Sequence, residues 1–409
     1  MKRLRLFAPS QPNEEDQGNT SRATERSNND GPRKVSFCFA TAEKRSECLS
    51  REFNKMPMQA RERVAQDVYG TVDKDTINVD MSPDTMDEFW SELEKVPEKQ
   101  AYELAFELDP EAARDPFLAV AFLRSVDGSA KRAAKRYTSF WRQKLDLFGE
   151  DKLVRPITLD DFDEDDMESL NSGGFQVLRS DDRAGRPILF GRYTAMKYKH
   201  IKNMVSQHLR WLNGIPAASH AKNEICLYSI SLLTLWNHLS LCLQLRVLWY
   251  CWMSMIEDEQ HQKAGVIGLG YEVSRIPIQR FDGDPDSFDM SAADGGFDRD
   301  FARGCLRLPL GLPIRVVGYH ICADAPQWQG ITDMVMVTVC KLVRLRFRAH
   351  FGTHQECQYA LMTHGIPVDS IPVTPEGDIE LSNHMEWIAH RRALEAARRG
   401  DAGGEDMCM

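Results

Sequence analysis

The sequence predicts an α/β protein, with a mixed sheet covered by helices and a small helical lobe before it. Two observations support this fold class. Short apolar segments alternate with helical patterns between residues 185 and 372, and residues 51–150 carry helical spacing with helix-capping residues. Alternation of this kind is typical of a sheet with helices packed on it.

The apolar segments come in a fixed order along the chain: 185–190, 248–250, 265–270, 312–320, 346–352 and 365–372. No nucleophile with a base, no metal cluster and no phosphate loop stands among them. An oily sheet without such chemistry favours a binding cavity, so we expect a protein that is not an enzyme and has no cofactor.

Capping residues place the helices of the N-terminal lobe. Ser82 and Asp115 each precede a proline, which predicts helix starts at Pro83 and Pro116. A longer amphipathic helix is predicted over residues 129–148, ended by Gly149. Its polar face carries Lys131, Arg132, Lys135, Arg136, Arg142 and Lys144. That face is either solvated or meets anionic lipid headgroups.

Composition excludes several classes. The 409 residues carry a net charge of −10, which gives no basic field for nucleic acid. The ten cysteines form no CxxC pair, which argues against zinc and a disulfide framework and favours a reducing compartment. Near the C-terminus, Asn383 with Glu386 predicts a capped helix that ends at Gly400.

The predicted organisation has four parts: a disordered tail (1–50), a helical N-lobe (51–150), the ligand-binding core (151–375), and a C-terminal helix and tail (376–409). Residues 225–245 lack Asp, Glu, Lys and Arg, which is a membrane-span pattern inside the core. A retained intron over residues 205–244 explains it better, because Val205-Ser206 and Gln244 fit splice-site codons. Deletion would join Met204 to Leu245 in one amphipathic helix. A buried helix is the third interpretation.

The ordered segments resemble the CRAL-TRIO (SEC-fourteen-like) lipid-binding family across residues 115–375. The resemblance is carried by Asp182-Arg183-Ala184-Gly185-Arg186-Pro187, by the glycine-led strand at Gly265, and by the turn Pro313-Ile314-Arg315. It implies a lipid cavity closed by a gate helix at residues 328–343.

The resemblance and the strand pattern together give a set of ligand-binding residues. The expected apolar lining comprises Ile188, Phe190, Ile267, Val317 and Tyr319. Arg315, Arg346 and Arg348 are expected to converge at one rim, because Arg344, Arg346 and Arg348 alternate along a strand-like run. The alternative for this run is a charged edge strand. The Thr338-x-x-Lys341 spacing is a second headgroup candidate.

Two other patterns predict no further chemistry. The spacing Gly265-x-x-Gly268-x-Gly270 is not that of a nucleotide loop, and it indicates a buried strand with small residues facing a ligand or helix. His350 and His354 are four residues apart but need not share a face, so no metal site is expected.

The sequence therefore predicts non-catalytic binding, and transfer or presentation, of a phospholipid or other hydrophobic ligand. The arginines favour an anionic phospholipid such as phosphatidylinositol, although the sequence does not name the lipid. The protein is expected to be cytoplasmic and to meet a membrane surface transiently. The alternative is an interaction or regulatory scaffold whose cavity is vestigial.

Overall fold

The computed structural model describes residues 42–71, 82–192, 245–273, 305, 308–324, 344–374 and 376–405. All of them belong to one compact unit, Phe39–Met409. Residues 1–41 of the predicted tail, the proposed intron at 205–244, the gate helix at 328–343 and the Thr338–Lys341 pair lie outside these residues. The rest of the predicted tail, residues 42–50, is helical, so the prediction of disorder is wrong there. The predicted domain boundaries stay predictions.

Helices dominate the chain before the sheet. They are α1 (Ala42–Asn54), α2 (Met58–Tyr69), α3 (Pro83–Glu94), α4 (Gln100–Leu108), α5 (Pro110–Ala113), α6 (Pro116–Ser125), α7 (Ala130–Phe148) and α8 (Glu164–Asn171). The predicted caps of two of them are confirmed. The Ser82 hydroxyl accepts the Thr85 N–H at 3.3 Å, and Asp115 Oδ1 accepts the Phe117 N–H at 2.8 Å.

Later helices are α9 (residues 245–255), α10 (Glu259–Ala264), α11 (His354–Thr363) and α12 (Ser382–Glu405). The predicted end of α12 at Gly400 is wrong, since the helix continues to Glu405. A glycine inside a helix costs only about 1 kcal/mol relative to alanine, which is too little to force a stop. Among the described helices, none has the length and apolar character needed to cross a bilayer.

The described residues form a five-stranded sheet in the order β1 (Phe175–Val177), β2 (Ile188–Gly191), β3 (Val266–Glu272), β4 (Val316–Ala323) and β5 (Phe347–Phe351). β1 runs antiparallel to β2, and the other neighbours are parallel. The predicted α/β class is confirmed: a mixed sheet, covered by helices and preceded by helices.

Strand alternation separates the sheet into two faces. We call one the glycine face; it carries Leu189, Gly191, Gly268, Gly270 and Tyr319, which lie in register on neighbouring strands. We call the other the histidine face; it carries Phe190, Leu269, His320, Arg348 and His350. A β-bulge at Val316–Gly318 shifts the register of β4 against β3.

The main core lies between the N-terminal helices and the glycine face. Tyr137 of α7 is at its centre, with Phe89, Phe122 and Trp141 in edge-to-face contact around it. One hydrophobic cluster joins these rings to Leu189 of the sheet and to α9. The N-terminal helices thus share a continuous core with the sheet.

One residue of the polar face predicted for α7 lies in this core. Lys144 is only 5% exposed, and its Nζ donates to the Arg155 carbonyl at 2.7 Å. Burial, and secondly the Arg155 charge, lower the pKa of Lys144 to about 7. For Lys144, the expectation of a solvated or headgroup-facing lysine is therefore wrong, because the chain after α7 folds back over it.

Candidate functional site

A small apolar cavity lies on the glycine face. It is lined by Phe175, Leu189, Gly191, Leu248, Trp252, Gly268, Leu269, Gly270, Cys305 and Tyr319. Its volume is about 20 Å³, while a single water needs roughly 10–15 Å³ on the same measure. In this conformation the described lining leaves only a water-sized space.

Glycine shapes the floor of this cavity. A Cβ at Gly268 would lie 2.6 Å from the Tyr319 ring, so only glycine lets that ring lie against the strand. Tyr319 also stacks on Phe347 with ring centroids 5.9 Å apart. A Cβ at Gly270 would meet its nearest atom at 3.5 Å, an ordinary contact. Tyr319 is therefore the side chain that limits the cavity above Gly268.

Trp252 of α9 lines the cavity and carries a buried indole N–H. Its side chain is 3% exposed, and its indole Nε1 has no hydrogen-bond partner among the described residues. A buried N–H without an acceptor is costly, and most such groups in native proteins are satisfied by protein, water or ligand. Trp252 thus lines the cavity, while its indole N–H is itself buried.

Most of the predicted lining residues lie elsewhere. Ile188, Phe190, Ile267 and Val317 are buried in a packed cluster with Cys357 and Leu361 of α11. These four side chains do not line the cavity; only Tyr319 of the predicted set does. The bulge in β4 explains why Tyr319 lines the cavity and Val317 does not. Without it, the two side chains would point to the same face of the sheet.

Two of the predicted headgroup arginines do converge, on a carboxylate of the chain itself. Arg346 Nη2 lies 2.6 Å from Asp67 Oδ2, and Arg315 Nη1 lies 3.5 Å from Asp67 Oδ1. Asp67 is fully buried near the C-terminus of α2. Burial lowers the pKa of Arg315 to about 10, and the Asp67 charge opposes that change.

Arg315 and Arg346 contact Asp67, and Arg348 lies on the histidine face, where it donates to the carbonyls of Leu345 and Phe347. Binding of a phosphate by these three arginines stays a prediction. The run of arginines that alternate along β5 is also shorter than predicted. Arg344 precedes β5 and pairs with Glu52 at 3.1 Å.

The Asp-x-x-Gly-Arg-Pro segment has a structural role in the same region. Arg186 is 1% exposed and donates from Nε to Asp182 at 2.8 Å. It also donates to the backbone carbonyl of Asp67, and Arg183 donates to that of Tyr69 at 2.9 Å. These cations occupy the negative end of the α2 dipole and hold the helix against the sheet.

Sequence reasoning missed most of the site. Phe175, Leu248 and Trp252 were not assigned to the cavity, although the alternate glycines Gly268 and Gly270 had indicated a strand facing a ligand or helix. Asp67 was missed as well. Its signal is a carboxylate in the last turn of an amphipathic helix, where an acidic group is unfavourable without cationic partners.

Comparison with known proteins assigns neither a family nor a function to this chain. No family model matches the chain, and no curated protein matches it. Among solved structures, the chain is similar to the crystal structure of Sfh5, with 9% identity over 85% of this chain and 98% of that one. The TM-score is 0.33, which does not establish a common fold.

Proposed function

We propose that this protein binds a small hydrophobic molecule on the glycine face, with a lipid acyl chain as the first candidate. The observation that supports this most directly is the apolar cavity, with Trp252 among its lining residues. Once the cavity opens, the Trp252 Nε1, which has no partner among the described residues, is available to a ligand acceptor such as an acyl ester. The resemblance to the CRAL-TRIO family points to the same ligand class.

Binding requires the cavity to grow. A space of about 20 Å³ is far below the roughly 300–1,000 Å³ of usual ligand sites. Tyr319 is half-buried and rests against Gly268 without a Cβ between them, so rotation of its ring opens the floor. Each buried methylene then contributes about 0.8 kcal/mol, which offsets the cost of displacing the ring.

The proposal includes a cytoplasmic protein that meets a membrane transiently to load or release its ligand, without catalysis. Phosphatidylinositol is the phospholipid proposed, yet its headgroup would have to be recognised by groups other than Arg315 and Arg346. Both of these guanidiniums already contact Asp67.

The test is loading from vesicles. The purified chain is incubated with vesicles of phosphatidylcholine containing phosphatidylinositol, re-isolated, and its bound lipid is quantified by mass spectrometry. We expect near-stoichiometric lipid on the wild type and at least about a tenfold loss in Gly270→Leu, whose side chain fills the cavity. Trp252→Phe, which removes only the indole N–H, should weaken binding by about fivefold, equivalent to ~1 kcal/mol.

The matched control is Ile188→Val on the opposite face of the same sheet. It costs about 0.5–1.5 kcal/mol of stability and leaves lipid uptake unchanged. Equal lipid on wild type and Gly270→Leu would place the ligand away from the glycine face.

A scaffold with a vestigial cavity is the second candidate, and the small volume of the cavity favours it. In that case the wild type acquires no lipid from either vesicle component.

A further inference from the structure

Three histidines that are distant in sequence meet on the histidine face. His320 lies in β4, His350 in β5, and His364 follows the last residue of α11. One ring nitrogen from each is within 4.8 Å of the other two. His320 Nδ1 and His350 Nε2 are 3.0 Å apart, and the ring centroids of His320 and His364 are 4.8 Å apart.

We propose that His320, His350 and His364 form a site for a borderline divalent transition metal ion, with Zn²⁺ as the first candidate. Three imidazoles with an open fourth position are a known donor set for zinc, and imidazole also suits copper and nickel. The site is separate from the cavity of the proposed function, because it lies on the opposite face of the sheet.

The distances between the ring nitrogens fit zinc coordination after a small side-chain movement. Two nitrogens at about 2.0–2.1 Å from a tetrahedral zinc lie roughly 3.3 Å from each other. The His320–His350 separation of 3.0 Å is already close to this value. The widest separation, 4.8 Å, would close by roughly 1.5 Å. Rotation of one imidazole about its side-chain bonds supplies a change of that size.

The protonation of the cluster also suits a metal. Burial lowers the pKa of His320, His350 and His364, and positive neighbours add to the effect; for His364 the hydrogen bond to the Val68 carbonyl opposes it in part. At neutral pH the three rings are therefore uncharged and each has one bare nitrogen. Metal binding breaks the hydrogen bond between His320 and His350. The hydrogen of that bond then moves, within its own imidazole, to the ring nitrogen that faces away from the metal.

A supporting contact orients one of the three rings. His364 Nδ1 lies 3.1 Å from the Val68 carbonyl of α2, so this nitrogen carries the hydrogen. The lone pair of Nε2 is then available to a metal ion. Metal-ligating histidines commonly donate their other N–H to a carbonyl in this way. Tyr69 stacks on the same ring at 5.4 Å.

The charge around the cluster specifies the fourth ligand. Arg348 lies opposite His320 in the register of β4 and β5, and its charge acts on all three rings. A second cation beside a guanidinium is unfavourable unless an anion accompanies it. We therefore expect hydroxide or a small anion at the open position, close to Arg348.

The proposal is tested with zinc on the full-length chain. After chelation, reloading and gel filtration, the wild type should retain one zinc per chain at this site and show a raised Tm. His350→Gln should weaken zinc binding by about 100-fold or more, since even loss of a supporting residue costs 10- to 100-fold. Two control variants, His354→Gln and His390→Gln, remove imidazoles outside the cluster and should bind zinc as the wild type does.

X-ray absorption at the bound zinc of the wild type decides the ligands even if His350→Gln fails to fold. Three imidazole nitrogens at about 2.0–2.1 Å support the site. A sulfur shell would instead assign the zinc to cysteines such as Cys322 and Cys357, which neighbour His350. The proposal is overturned by that result, by a wild type that retains no zinc, or by unchanged zinc affinity in a folded His350→Gln variant.

Discussion

The two faces of one sheet are built from the same strands and differ in how they fill space. On the glycine face, Gly191, Gly268 and Gly270 leave room that Tyr319 only partly takes up. On the histidine face, every position of β2 and β3 carries a large apolar side chain packed against α11. Alternate residues of a strand therefore created an adaptable surface and a packed one, and function is expected to differ accordingly.

The packed side also contains the charges that hold α2 in place. Asp67 pairs with three guanidiniums there, those of Arg63, Arg315 and Arg346. The α2 carbonyls receive further cationic donors from Arg183 and Arg186. The glycine-face cavity differs from this side in its lining, which is mostly apolar and includes the Trp252 ring.

The largest effect should come from the charged anchor beside the histidine face. Asp67→Asn leaves Arg315 and Arg346 buried without a carboxylate. Loss of one partner of a buried ion pair destabilises by about 3–5 kcal/mol, measured by urea unfolding. The matched control is Asp160→Asn, which removes an exposed pair with Arg399 and should cost less than about 1 kcal/mol. Equal effects of the two variants would mean that Asp67 is not the anchor of α2.

The next effect concerns the core behind the glycine face and is a dependence on pH. The pKa of Lys144 is about 7 in the folded chain and 10.5 in the reference state. Between these values the unfolded chain binds more protons, so stability is greatest above pH 10.5 and falls as the pH falls towards 7. The expected loss between pH 9.5 and 7 is about 3 kcal/mol.

Lys144→Met should remove this slope while keeping the volume of the side chain. Chemical unfolding of both proteins at pH 7 and 9.5 measures it. Lys135→Met, on the exposed part of the same helix, is the control and should leave the slope unchanged. Parallel pH profiles for wild type and Lys144→Met would show that the Lys144 amine stays hydrated.

The smallest effect distinguishes two glycines of one strand. Gly268→Ala places a methyl 2.6 Å from the Tyr319 ring and should cost about 1–3 kcal/mol. Gly270→Ala meets only an ordinary contact at 3.5 Å and should change thermal stability little. Tyr319→Ala should abolish the difference between the two variants. A cost at Gly268 that persists without the tyrosine ring would point to backbone strain instead.

Local patterns determined most of the elements. Ser82, Asp115 and Gly149 placed helix ends because capping depends on a few adjacent residues. Alternation of apolar segments gave the α/β class, since the period of a strand or helix is a property of neighbouring positions. The glycines at 268 and 270 also indicated a strand facing a ligand or helix, before the cavity was known.

Tertiary structure decided which residues meet. The β4 bulge put Val317 and Tyr319 on different faces, and a register change of one residue is not visible in the chain itself. Asp67 reached Arg315 and Arg346 across more than 240 positions, and three histidines from separate elements came together in the same way. Ionic and metal-ligand partners are selected by distance in space, so the sequence supplied the arginines and histidines, and only the fold supplied their partners.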